Sequence, residues 1–182
     1  MSENSLGLAL LGIAHNAIAA SLDLETRAVS PDPEQEKPGA SFVTLAQDGR
    51  LRGCIGSLEV YRPLAEDVAA NAVAAAFRDT RFAPLTRHEW AGTRIEVSQL
   101  ERPVQMDCSN EDDAILRLRP GLDGVILTFG SRRATFLPQV WESLPDPKQF
   151  LAHLKQKAGL PANFWDDRIT LARYGVRKWK ET

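Results

Sequence analysis

Two adjacent runs decide the architecture: Ser41-Phe42-Val43-Thr44-Leu45-Ala46 and Leu51-Arg52-Gly53-Cys54-Ile55-Gly56-Ser57-Leu58-Glu59-Val60. Between them lies Asp48-Gly49, a strong tight-turn pair because glycine accepts positive φ at no steric cost. The two runs therefore read as the arms of an antiparallel hairpin. Upstream, Ser30-Pro31-Asp32-Pro33-Glu34-Gln35-Glu36-Lys37-Pro38-Gly39 reads as an exposed loop, since three prolines and alternating charges suit neither a helix nor a central strand. Before it, residues from about Asn4 to Leu24 are apolar around most of a helical circumference. A polar stripe runs through Ser5, Gly12, Asn16 and Asp23, so a well-buried first helix is expected.

Downstream, Pro63 opens an alanine-rich helix over Leu64–Phe77. Arg78–Leu85 is a loop, Thr86 and Glu89 form a capping box, and Thr93–Leu100 alternates as a strand. Ser109 is placed to cap a short helix ending before Pro120-Gly121. Residues 124–129 and 133–137 make a second hairpin, and Pro138–Leu144 a short helical turn. Asp146-Pro147 starts a last helix that Gly159 stops, and Ile169–Trp179 reads as a final strand. Mixed hairpins and helices predict an α+β fold with prominent antiparallel pairing, and their loose recurrence in both halves predicts two lobes within one domain over residues 1–182.

Composition narrows the function classes. The 182 residues are 43% hydrophobic and 25% charged, enough to bury a core without disulfide or metal staples. A net charge of −2 argues against a dedicated duplex-DNA binder. Cys54 and Cys108 are too few for a disulfide framework. The apolar run Leu8–Ala14 lacks a basic flank and is too short to cross a bilayer, so a cytoplasmic protein without membrane contact is expected. His15, His88 and His153 are far apart, and no His-x-x-x-His, Cys-x-x-Cys or Glu-x-x-His occurs, so no metal site is expected. Gly-x-Ser-x-Gly, the P-loop and Gly-x-Gly-x-x-Gly are absent, which leaves no cofactor motif.

The most unusual chemistry sits in the hairpin. Gly53 and Gly56 flank Cys54, and glycine within a strand marks a bulge or a close approach by another group. A thiol there has little side-chain shielding. Arg52, two residues before it, shares its face in a regular strand, and a guanidinium favours the thiolate. Two readings stand: a functional thiol, or a small core hydrophobe in a glycine-shaped bulge.

The run Leu-Arg-Gly-Cys-Ile-Gly at 51–56 resembles the signature of the AMMECR-one domain family, which includes the A component of the AmmeMemoRadiSam system. Pro63–Val68, Asn71–Asp79, Arg81-Phe82, Ile95–Ser98, Leu118–Gly124, Thr135–Trp141 and Lys157–Leu160 extend the resemblance over most of residues 6–175. Ser57 and Thr80 stand where threonine and proline are common in the family. The resemblance implies a two-lobed fold with the cysteine motif lining a cleft between lobes. It also implies a radical-SAM enzyme and a Memo-type, dioxygenase-like protein as companions, and it brings no settled reaction.

Around Cys54 the candidate set is Arg52, Gly53, Ile55 and Gly56 from the motif, with Arg78, Asp79 and Arg81 placed to bind an anionic group. Asn71 offers an amide to a ligand or to the backbone. Glu96 and Ser98 share a strand face and would supply a base and a hydroxyl if that face meets Cys54, with Asp79 as a second proton carrier. Each has a plainer reading: an Arg–Asp network that holds a loop, or a solvated strand face. Arg132-Arg133, Arg173, Arg177, Lys178 and Lys180, interleaved with Tyr174 and Trp179, would suit RNA or simply solvate a face. Gly53-Cys-Ile-Gly56 matches the bare G-x-x-G of KH modules but lies in a hairpin arm. Trp90, Trp141, Trp165 and Trp179 read as core anchors. Two hypotheses follow. In one, Cys54 acts as nucleophile or covalent carrier in an enzyme or enzyme subunit. In the other, a non-catalytic module holds a small ligand, RNA or a partner segment.

Overall fold

In the computed structural model, residues 3–181 are described. The first helix, α1 (Glu3–Ser21), ends three residues earlier than its apolar pattern suggests. Asp23 takes the left-handed conformation at φ 51°, and the Leu24 amide turns back to the Ala19 carbonyl at 2.9 Å, a Schellman-type stop. The proline-rich segment is less open than its composition suggests. Asp32 is buried, caps a 3₁₀ turn at Pro33–Glu36, and accepts the Ser5 hydroxyl at 2.6 Å.

The hairpin forms as β1 (Ala40–Gln47) and β2 (Arg50–Gly56) around Asp48 and Gly49, both at positive φ. β2 stops at Gly56, four residues short of the expected arm, because the Ser57 amide donates to the Ser41 carbonyl and the chain then leaves the ladder. Helix α2 (Leu64–Phe77) follows, then the single turn α3 (Arg87–Trp90) with the Thr86–Glu89 capping box in place, then β3 (Thr93–Leu100). The chain continues through β4 (Val104–Met106) and α4 (Glu111–Arg117). Asn110, not Ser109, caps α4, its side chain accepting the Asp113 amide. β5 (Gly124–Phe129) and β6 (Arg132–Phe136) form the second hairpin, and α5 (Pro147–Lys157) is capped by Asp146.

The expected single last strand is two, β7 (Thr170–Tyr174) and β8 (Val176–Lys180), in different sheets. The break falls at Gly175, where a Cβ would stand 2.3 Å from Glu101 Oε2. The sheets run β2-β1-β3-β8 and β4-β7-β5-β6. This is an α+β fold whose chain divides into two compact units, Met1–Leu100 with Arg177–Thr182, and Glu101–Val176.

In the first unit one face of the sheet, carrying Val43, Leu45, Ile95 and Val97, packs on α1 and α2 through Leu10, Ala14, Ile18, Val68, Ala72 and Ala75. In the second, Val125, Leu127 and Leu171 pack on Phe150, Leu151 and Leu154 of α5, and Trp141 stacks on Phe150 at 3.7 Å. Among the described residues no helix is long and apolar enough to cross a membrane. None of their His, Cys, Asp and Glu side chains gather in a group that could hold a metal ion.

Candidate functional site

Strand alternation divides the Leu51–Gly56 motif between two faces. Gly53 pairs with Leu45 and Ile55 with Val43, so both point to the helix-covered core. A Cβ on Gly53 would stand 2.2 Å from the Ala75 carbonyl oxygen of α2. Glycine at 53 therefore lets helix backbone touch strand backbone. Cys54 and Gly56 face the other way, paired with Thr44 and Phe42. A Cβ on Gly56 would stand 2.2 Å from the Phe42 ring. The glycines thus have packing duties of their own, and Phe42 covers the bare backbone at Gly56.

The outer face places Cys54 in a row. Thr44 pairs with Cys54 on one side and with Glu96 on the other, so the three side chains share a face across β2, β1 and β3. The Thr44 hydroxyl donates to Cys54 Sγ at 3.2 Å. Cys54 is a free thiol, half-buried. Glu96, also half-buried, lies two strand spacings away, about 10 Å. Ser98 joins the neighbouring row opposite Phe42 and is 7% exposed, so this face is not simply solvated.

Arg52 does not share the Cys54 face. Leu51 pairs with Ala46 and Gly53 with Leu45, which leaves Arg52 as the extra residue of a β-bulge. Its guanidinium turns to Glu89, with Nε at 3.0 Å, and to the Ala83 carbonyl at 2.9 Å. That pair, helped by the Thr86 amide and hydroxyl, lowers the Glu89 carboxyl to about 2.

The guanidinium beside Cys54 belongs to Arg81. β2 is a sheet edge, and its peptide groups at Cys54 are occupied by side chains. The Cys54 amide donates to Asp79 Oδ2 at 2.9 Å, and Arg81 Nη2 donates to the Cys54 carbonyl at 3.3 Å. Arg81 also grips Asp79 with Nε at 2.9 Å and Nη2 at 2.7 Å. This clasp holds the Asp79 carboxyl far below the ordinary carboxylate range, through Arg81 first and the Cys54 amide after it. Asp79 is therefore held as an anionic acceptor between the Cys54 amide and the Arg81 guanidinium. Arg78 is exposed at the end of α2, where its amide caps onto the Ala74 carbonyl.

Asn71 is turned inward. It donates to the Ser41 carbonyl at 3.0 Å, to Ser57 Oγ at 3.2 Å and to Asp67 Oδ2 at 2.9 Å. Asp67 is the hub the sequence reading missed: fully buried, it also accepts the Ser41 amide and hydroxyl, the Ser57 hydroxyl and the Arg62 guanidinium. The available signal was a carboxylate and an amide at i,i+4 on the apolar face of α2. Thr44 was missed for another reason: only cross-strand register brings its hydroxyl to the sulfur.

A cavity of about 960 Å³ lies elsewhere in the first unit, between α1, the 27–31 segment and β8; Cys54 does not line it.

A two-sheet α+β protein with a cysteine-bearing glycine motif on an edge strand defines the class. The AMMECR1 family model matches residues 11–179, and the chain belongs to that family. Protein LS215_2104 of Saccharolobus islandicus is 35% identical over 99% of this chain and 83% of its own. Protein MJ0810 of Methanocaldococcus jannaschii is 38% identical over 83% of this chain and 77% of its own. The crystal structure of PH0010 from Pyrococcus horikoshii superposes with a TM-score of 0.80 at 29% identity, covering 100% of this chain and 93% of that one.

Proposed function

We propose that Cys54 is the working group of this protein, in a cysteine-dependent enzyme or enzyme subunit acting in the cytoplasm with a radical-SAM enzyme and a Memo-type protein. The observation that carries this reading is the hydrogen bond from Thr44 to a free, half-buried sulfur whose own carbonyl is gripped by Arg81. The hydroxyl fixes the orientation of the sulfur, and the guanidinium stands close enough to meet an anionic group brought to it. In such a role the sulfur accepts a group from a donor whose leaving atom takes up the thiol proton. It then passes the group to an acceptor and recovers a proton. Glu96 serves as the base only through a water or a substrate atom that spans the Thr44 position.

A second reading has its own support. Asp79 is locked by Arg81, and Glu96 is two strands from the sulfur, so neither of these carboxylates reaches the Cys54 sulfur directly. In that reading the outer face of β1–β3, with Phe42, Arg81 and Ser98, binds a small ligand, RNA or a partner segment.

Iodoacetamide labelling of the native protein separates the readings, with Cys108 as internal reference. Burial and the Asp113 charge push the Cys108 thiol up. The catalytic reading expects Cys54 to alkylate faster than Cys108, and Cys54→Ser to remain folded but inactive in a complementation assay. A Cys54 that stays inert until unfolding, with full complementation by Cys54→Ser, overturns it in favour of binding.

A further inference from the structure

Strand alternation puts three exposed cations on the face that carries Cys54. Ile95 and Val97 lie in the core of the first unit, so Arg94, Glu96 and Ser98 face outward. On β8 the Trp179 ring lies against α1, where a Cβ on Gly7 would stand 2.2 Å from its Cδ1. Its neighbours Lys178 and Lys180 therefore take the outward face. β8 runs beside β3, with the Glu181 amide donating to the Ile95 carbonyl at 2.9 Å. Arg94, Lys178 and Lys180 thus share the face of Thr44 and Cys54.

The charge on this face is one-sided. Glu96 is the only Asp or Glu in the four strands of the sheet. Arg94, Lys178 and Lys180 are all exposed and have no carboxylate partner among the described residues. The Arg94 guanidinium donates to the Thr93 carbonyl at 3.4 Å, which leaves its charge uncompensated. At the β2 edge Asp79 and Arg81 balance each other, with Nη2 and Oδ2 2.7 Å apart. A chain of net charge −2 therefore gathers positive charge on the face of its free half-buried thiol. β8 lies three strand spacings from β2, about 14 Å, so an anion held at the lysines leaves room for a chain of several bonds before it meets the sulfur.

We propose that the molecule brought to Cys54 is an extended anion, with a carboxylate or phosphate at one end and the atom that meets the sulfur at the other. Its charged end lies at Lys178 and Lys180, with Arg94 alongside, and its body crosses β3 and β1 over Glu96 and Thr44. This rests on Cys54 being the working group and adds the charge class of its substrate.

The first test compares alkylation of Cys54 in the native full chain by iodoacetate and by iodoacetamide. The two reagents differ in charge and present the same carbon, from which the sulfur displaces iodide while its proton passes to buffer. The ratio of the two rates is divided by the same ratio for N-acetylcysteinamide. The proposal expects this quotient to favour iodoacetate by about threefold at about 10 mM NaCl and to approach one at about 500 mM. Lys178→Glu with Lys180→Glu, both at exposed positions, should abolish the advantage with Tm unchanged. A quotient near one at low salt, or one that the double variant leaves unaltered, overturns the proposal while the working thiol stands. A Cys54 inert to both reagents removes the working thiol instead, and the anion is then judged without it. Nitrogen-15 NMR of Cys54→Ser follows titrations with succinate and with inorganic pyrophosphate at constant ionic strength. Saturable shifts at the Lys178 and Lys180 amides are expected, and the tighter ligand tells carboxylate from phosphate. No saturable shift with either up to about 20 mM overturns the proposal.

Discussion

Thr44 donates its hydroxyl to the sulfur of Cys54 at 3.2 Å across the β1–β2 ladder, and the same residue pairs with Glu96 on its other side. This donation holds the sulfur in one orientation on the outer face of the sheet. Thr44→Val keeps the β-branched shape and removes the donor. With the sulfur no longer held in that orientation, native-state alkylation of Cys54 at pH 7.5 should slow by about threefold. Mass spectrometry of the Cys54 peptide against the Cys108 peptide reads the effect, and an unchanged ratio would show that the hydroxyl leaves the sulfur untouched.

The Asp79–Arg81 clasp serves the sheet edge as well as the motif. It satisfies the amide and carbonyl of Cys54, which would otherwise offer β2 to another strand. Asp79→Ala leaves that amide and the Arg81 guanidinium without their acceptor, at a cost of about 1–3 kcal/mol. Urea denaturation should show this loss, and light scattering should show self-association absent from the parent.

The two motif glycines differ in what stands over them. At Gly53 the obstacle is the α2 backbone at Ala75, which cannot rotate away, whereas at Gly56 it is the Phe42 side chain. Gly53→Ala should cost about 2–3 kcal/mol and Gly56→Ala about 1 kcal/mol or less. Thermal unfolding of the two variants side by side tests this order. Equal losses would mean that α2 shifts as easily as a ring turns.

The Arg52–Glu89 pair predicts a pH dependence with a definite sign. Its folded-state carboxyl sits at about 2, below the ordinary 4.5. The unfolded chain therefore takes up this proton first, and the contribution is fully present above about pH 4.5 and fades as pH falls through about 2. Chemical denaturation of the parent and Glu89→Gln should show the stability gap narrowing between about pH 5 and about pH 2. A gap constant over that window would remove the pair from the acid response.

Part of this architecture is local and was legible as such. Asp48-Gly49 can close only a tight turn, Thr86 and Glu89 cap α3 within four residues, and the alanine spacing of α2 marks its buried face. The candidate residues Asp79 and Arg81 were also readable as a pair, being two apart. Their grip on the Cys54 peptide was not, because it joins residues 25 and 27 apart in sequence.

The sequence alone determined the α+β class, the family, and a strand cysteine flanked by two glycines, since these follow from periodicity, turn chemistry and an unbroken motif. Tertiary structure alone decided which cation accompanies that cysteine. A bulge of one residue sends Arg52 away to Glu89, and the end of α2 delivers Arg81 in its place. Strand register repeats every two residues, so a single inserted residue reverses every face before it, and long-range packing is what selects where that residue goes.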